Sequence, residues 1–289
     1  MEKMATVAEE PGWDVVIAPD KGWLRIGFKE IWDHRDLVVL MVRRDIISVH
    51  KQTVLGPLWH VVTPLLTTLI FGLMFGRIAK LPTDGLPPTL FYLSGLIPWG
   101  FFGTTLTKTS GSFISQAHLL TKVYFPRLIV PLSISIANFI SFAIQLLLLA
   151  GFIAYFTIVQ GTEWQVSASL LFLPVVVLMI GMLGLAVGIL IAAATIRFRD
   201  LNFLIGFGVQ LLMYMSPVIF PPSLLEGSTL GTIVSLNPMT PLINAFRASV
   251  FGGDIIFGPL MYSLAFILIA LLFGVAAFKR AERTFADVV

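Results

Sequence analysis

The sequence contains no cysteine. That removes disulfide frameworks, thiolate metal sites and cysteine nucleophiles from consideration. Charge is also scarce. Only 12% of the 289 residues are Asp, Glu, Lys or Arg, against about 25% in ordinary soluble domains. With 57% hydrophobic residues and a mean hydropathy of +0.92, the chain could not cover a water-facing surface. It reads as an integral membrane protein. Residues 1–36 mix both signs of charge and hold no long apolar run, so no signal peptide is expected.

Catalytic signatures are missing as well. The chain has no G-x-x-x-x-G-K-[ST] loop to hold nucleotide phosphates, no G-x-S-x-G and no H-E-x-x-H. Asp84, Glu163, Glu226 and Asp254 are scattered among connecting segments, whereas metal-assisted phosphate chemistry wants clustered acids. No catalytic, cofactor-binding or metal-ligating residue is assigned.

What is present is long apolar sequence. A helix needs about 20 apolar residues to cross the hydrocarbon core. Six stretches qualify, near residues 58–76, 90–106, 128–156, 168–194, 201–220 and 256–278. His60, near the start of the first, is the one ionisable residue in them. Ion-coupled carriers usually place charged side chains inside the bundle, so an ion relay has little to work with. With both ends placed inside, sixteen of the nineteen Lys and Arg residues fall in cytoplasmic segments. The positive-inside rule therefore predicts cytoplasmic N- and C-termini. Either a channel or a permease powered by a partner would suit such a chain.

Two segments cannot span. Between Phe28 and Val49, apolar residues Phe28, Ile31, Val38, Val39, Val42, Ile46 and Val49 recur at helical period. This predicts an amphipathic helix lying in the cytoplasmic interface, with Arg43, Arg44, His50 and Lys51 near anionic lipid headgroups. The alternative is a helix packed on the bundle. Residues 221–255 hold Pro221, Pro222, Pro238 and Pro241 and two apolar runs too short to cross. They predict two short re-entrant helices on the outer side, covered by protein or a water-filled cavity, the alternative being an ordinary external loop. The division expected is residues 1–55 as cytoplasmic arm and interface helix, and 56–289 as a membrane domain.

Several motifs become specific when read together: "WDHRDLVVLMVRRDI", "HKQTVLGPLWHVVTPLLTTLIFGLMFGRIA", "FYLSGLIPWGFFGTTL", "HLLTKVYFPRLIVPLS", "RFRDL", "SPVIFP", "LNPMTPLINAFR" and "ERTFADVV". In this order the chain resembles the permease subunit of ABC-2 type polysaccharide exporters, which move O-antigen chains and are related to teichoic acid permeases. The resemblance implies an all-α, six-span subunit of the bacterial inner membrane. It also implies a homodimer bound to two copies of a cytoplasmic ATPase, which would hold ATP and Mg, while this chain would hold no cofactor. The cargo implied is a lipid-linked polysaccharide on a polyprenyl pyrophosphate, with no nucleic acid as partner.

The same resemblance assigns sites. His118, Leu119, Leu120, Lys122, Tyr124, Phe125 and Arg127 would form a coupling helix docking on the ATPase. Pro221, Asn237, Pro238, Asn244 and Arg247 would belong to an outer gate. Tyr92, Trp99, Phe101, Phe102, Phe139 and Phe142 are candidates for an aromatic lining, since sugar C–H faces stack on π faces while hydroxyls stay wet. The motif departs from relatives at Val49–His50, where a basic–aromatic pair is common, and at Asn244, where an acid is common. Same-fold permeases for teichoic acid, capsule or a lipophilic drug remain alternatives. A membrane-embedded glycosyl or phosphoglycosyl transferase is a further one, disfavoured by the scattered acids.

Overall fold

The computed structural model describes residues 28–51, 54–116, 125–162, 167–195 and 200–288. Among them the regular structure is entirely helical. A short α1 (Phe28–Asp33) leads through His34 into α2 (Arg35–His50). Then come α3 (Trp59–Phe71), which continues as a π-helical turn over Gly72–Ile78, and α4 (Pro88–Ser110). The short α5 (Ser112–Ser115) precedes α6 (Ile129–Gln160). After a 3₁₀ turn, Ala168–Phe172, come α7 (Leu173–Thr195) and α8 (Leu201–Tyr214). The chain closes with α9 (Thr229–Ser235), α10 (Met239–Phe251) and α11 (Phe257–Val288).

Four stretches are long and apolar enough to cross a membrane: Gly56–Ile78, Ile129–Gln160, Ala168–Thr195 and Phe257–Arg280. Each coincides with an expected span. The stretch expected at residues 201–220 is helical only to Tyr214. At 1.5 Å per residue its 14 residues reach about 21 Å, less than the roughly 30 Å of hydrocarbon. Residues 216–219 leave the helix but are buried, as non-helical backbone at membrane depth must be.

The most enclosed helix is α4. Sixteen of its 23 residues are buried, yet it is less apolar than α3, α6, α7 and α8 beside it, carrying Gly, Ser, Thr and two prolines. A helix surrounded by protein needs no lipid-facing side chains and gains from small residues that let backbones approach. Its main neighbour is α7, which α11 covers from the other side. Along the seam a Cβ on Gly184 would meet the Phe102 carbonyl oxygen at 2.9 Å, and one on Gly188 would meet Thr109 Cβ at 2.7 Å.

A second apolar cluster sits at the base of the bundle. Val38 and Met41 of α2 meet Phe125, Ile129, Val130 and Ile134 at the start of α6, with Phe113 and Phe278 beside them. So α2 does pack on the bundle. Its buried face is centred on Val38 and Met41, and Val39, expected on the stripe, is 66% exposed. Successive helical residues diverge by about 100°, so Val38 and Val39 cannot share a face this narrow. Trp32, Val39, Leu40 and Ile47 form an apolar surface left open on α1 and α2. Met41→Ala is expected to cost about 2–5 kcal/mol and Val39→Ala less than about 0.5 kcal/mol, compared by thermal unfolding in detergent.

The segment 221–255 forms two helices. Ser228 caps α9, its Oγ accepting from the Gly231 amide at 3.0 Å. Gly252, at φ +85°, ends α10, a left-handed conformation that favours glycine. α9 is largely exposed, whereas α10 is buried against α4, α7 and α11.

Candidate functional site

Three helices enclose a polar groove. Along α3, His60, Thr63 and Thr67 fall at i, i+3 and i+7, and so share a face. Along α6, Asn138, Ser141 and Gln145 repeat that spacing. α4 adds Thr104 and Lys108, four residues apart. The three stripes meet. Lys108 Nζ donates to Asn138 Oδ1 at 3.0 Å, and Asn138 Nδ2 donates to Thr105 Oγ1 at 3.4 Å. Ser141 Oγ and His60 Nε2 share a hydrogen bond at 3.4 Å.

Two adjoining cavities make up the groove, with His60, Lys108, Asn138 and Ser141 bordering both. The outer one, about 360 Å³, reaches Asp45 and Ser48 of α2 and Ser115 and Gln116 after α4. The inner one, about 280 Å³, runs along Thr63, Thr67 and Gln145 to Trp99, Phe101 and Phe142. The end nearest α2 is lined by polar side chains, among them Lys108 and Asp45, and the far end is walled by aromatic rings. Asp45, the acid at the mouth, lies 2.8 Å from Arg44, which offsets its charge. Such a surface can hydrogen-bond hydroxyls and attract an anion.

Lys108 was not singled out, because it lies beyond the apolar stretch of residues 90–106, on the continuation of α4 to Ser110. Asn138, Ser141 and Gln145 also went unnoticed, being uncharged residues in a strongly apolar run. Their spacing, matched by His60, Thr63 and Thr67, was the signal that could have found them.

The aromatic candidates divide. Trp99, Phe101 and Phe142 border the inner cavity, with Phe101 stacked on Phe142 at 4.8 Å between centroids. Phe139 is 47% exposed beside them. Phe102 is buried and packs on Trp99. Tyr92 is fully buried between Phe71 and Phe91, away from the groove-lining residues.

Of the basic interface residues, Arg43 and Lys51 are exposed. Arg44 donates to Asp45 and, at 3.2 Å, to Gln116. The His50 side chain lies outside the described residues, as do His118, Leu119, Leu120, Lys122 and Tyr124. Phe125 is buried in the basal cluster and Arg127 is half-buried, so Phe125 faces the bundle.

Of the expected gate residues, Asn244 borders a cavity of about 810 Å³ beneath α9, together with Phe220, Leu225, Thr232 and Tyr262. Pro221 is buried at its edge. Asn237 Nδ2 donates to Ser216 Oγ at 2.8 Å, and its Oδ1 accepts from the Met239 amide at 3.0 Å. The Pro238 carbonyl accepts from Ser263 Oγ at 2.8 Å. Asn244 Oδ1 is buried with no partner among the described residues. Arg247 is buried among backbone carbonyls, with no carboxylate within 4 Å among the described residues.

Comparison with known proteins places this architecture. The O-antigen export system permease protein RfbA of Myxococcus xanthus is 28% identical over 262 residues, covering 90% of this chain and 97% of that relative. One of the same name from Klebsiella pneumoniae is 25% identical over 256 residues, covering 88% and 95%. The ABC-2 type transporter family matches residues 36–251, which includes α2, all three walls of the groove and the whole of α10, and the chain is a member of that family.

Proposed function

We propose that this chain is the membrane-spanning permease subunit of an ATP-driven exporter. Its cargo is a polyprenyl-pyrophosphate-linked polysaccharide, O-antigen-like, moved across the bacterial inner membrane. The observation that carries this reading is the near end-to-end match to two relatives named as O-antigen export permeases. The groove of hydroxyls, amides and aromatic rings suits a glycan.

In this reading α4 and α8 join the four long apolar helices to make six spans. α8 is completed by the buried segment that follows it. Both termini are cytoplasmic, on the strength of the Lys and Arg distribution. Residues 1–55 serve as arm and interface helix, and 56–289 as the transmembrane domain. The open apolar surface of α1 and α2 lies in the membrane interface. α9 and α10 dip into the outer leaflet as a gate. Two copies of the chain bind two copies of a separate ATPase through residues 118–127. Nucleotide-driven closure of the ATPase pair shifts the spans between two packed arrangements.

The test is co-expression with a candidate ABC ATPase from the same organism. The ATPase is expected to co-purify, and lipid-linked glycan to appear at the outer face only when both are present. Replacing residues 118–127 by a Gly/Ser linker is expected to release the ATPase from the purified permease. Retention of the ATPase by the linker variant would refute the docking assignment. Absence of glycan export from the intact pair would refute the cargo.

A further inference from the structure

Lys108 is not part of either apolar cluster. It stands on α4, which the proposed function counts as a span, and is exposed to the groove. Its one hydrogen bond goes to a neutral amide, Asn138 Oδ1, at 3.0 Å. No carboxylate among the described residues lies within 4 Å of it. An ammonium carries three donors, and an ionisable side chain at membrane level marks a functional site by default. The nearest acid bordering the groove, Asp45, is paired with Arg44 at 2.8 Å. The local balance is therefore positive.

The surroundings specify the ligand further. Lys108 borders both cavities, so a group bound to it can extend either way. Toward α2 the walls offer Ser115 and Gln116, neutral groups able to hydrogen-bond anion oxygens. Toward the membrane interior, Phe101 and Phe142 and the apolar flank of α3 give a surface for hydrocarbon. Leu66, Leu69 and Ile70 of that helix are more than half exposed. A free inorganic anion would use the first half alone. An amphiphile uses both.

We propose that Lys108, positioned by Asn138, binds the phosphate headgroup of an isoprenoid phospholipid entering from the cytoplasmic leaflet, with its chain leaving along α3. A carboxylate at residue 138 would neutralise the site from within. An arginine at 108 would keep the charge and add a second donor. The proposal rests on the proposed function for the identity of the lipid and for the placement of α4 in the membrane, whereas the groove and its charge do not.

The probe is farnesyl pyrophosphate, titrated into the full-length chain in zwitterionic nanodiscs and read by native mass spectrometry or calorimetry. Farnesol and inorganic pyrophosphate are parallel arms. Farnesyl pyrophosphate is expected to bind tightest. Lys108→Gln should weaken it by about tenfold or more, the loss of one charge-assisted contact. Lys108→Arg should stay within about threefold of wild type, a change well below that contact. Asn138→Asp should match Lys108→Gln, and serves if the latter misfolds. Farnesol should bind weakly and show no dependence on Lys108.

Wild-type affinity in both Lys108→Gln and Asn138→Asp would overturn the proposal. Equal affinity for inorganic pyrophosphate would overturn the lipid assignment. Binding needs neither ATPase nor glycan. Loss of the Lys108 effect beside intact export therefore removes this inference alone. A Lys108-dependent site in a chain that exports nothing removes the proposed function instead.

Discussion

Arg247→Met is expected to destabilise the chain by about 2–6 kcal/mol, the cost of two non-helical carbonyls left without donors at about 1–3 kcal/mol each. Arg247 Nη1 donates to the Pro217 carbonyl at 2.5 Å, and Nη2 lies within 3.5 Å of the Val218 carbonyl. These two peptides follow the end of α8, where no helical ladder serves them. The same guanidinium reaches the Phe91 carbonyl at 3.1 Å and Ser94 Oγ at 3.3 Å, and lies over the Phe91 ring at 3.9 Å. One side chain on α10 thus ties the broken end of α8 to α4. Methionine fills similar space but donates nothing.

Lysine is expected to recover less than half of the loss, because its ammonium cannot reproduce a planar fork meeting acceptors on two elements. Thermal unfolding in detergent measures both variants. Gly95→Ala probes the same contact from the other side, since its Cβ would come within 2.8 Å of Arg247 Nη2. Stability within about 0.5 kcal/mol of wild type in Arg247→Met would show that water or lipid replaces the guanidinium, and the staple would be abandoned.

The second large effect is at the α4–α7 seam. Gly184→Ala and Gly188→Ala combined are expected to cost about 2–6 kcal/mol, taking overpacking at about 1–3 kcal/mol per site. At Gly184 the obstacles include the Phe102 carbonyl oxygen, and at Gly188 the Leu106 carbonyl oxygen at 3.1 Å as well as Thr109. Backbone atoms cannot rotate aside, so the helices must separate. Separation would disturb α4, the floor of the groove. Part of the obstacle at Gly188 is a side chain, so Thr109→Gly should restore some of the stability of Gly188→Ala beyond additivity. A double-mutant cycle on unfolding temperature reads this directly. Strict additivity would mean that the carbonyl of Leu106, and not Thr109, sets the spacing.

Which parts were legible in the sequence follows from what each signal measures. Hydropathy reports lipid exposure. It therefore located α3, α6, α7 and α11 well, since each presents apolar residues outward. It was less informative for α4, which is buried by protein and carries hydroxyls and glycines instead. It also overran the end of α8, because Met215–Phe220 is apolar yet held by Arg247 and by local turns. Periodicity found α2, but the packed face turned on Met41, whose contact with Ile129 and Ile134 depends on how two distant segments meet.

The groove was hidden for a related reason. Along the sequence Lys108 is a charge just past an apolar stretch and Asn138 a single amide inside another. Neither becomes part of a site until α3, α4 and α6 bring their stripes together. Arg247 was readable as an outer-side residue of an unusual segment. That its partners would be carbonyls of Phe91, Pro217 and Val218 was not readable, since these belong to stretches 29 to 156 residues away in sequence.

By itself, then, the sequence determined that the chain lives in a membrane, that it is built of helices and that its order of motifs belongs to one transporter family. The first two follow from composition and local periodicity, which are written along the chain, and the third from the resemblance of its motifs to that family. Only the tertiary structure decided which helix is central, where α8 breaks and how a lysine, an asparagine and a histidine from three helices come to share one groove. Such decisions depend on which faces meet, and that is settled by close packing and hydrogen-bond satisfaction between segments remote in sequence.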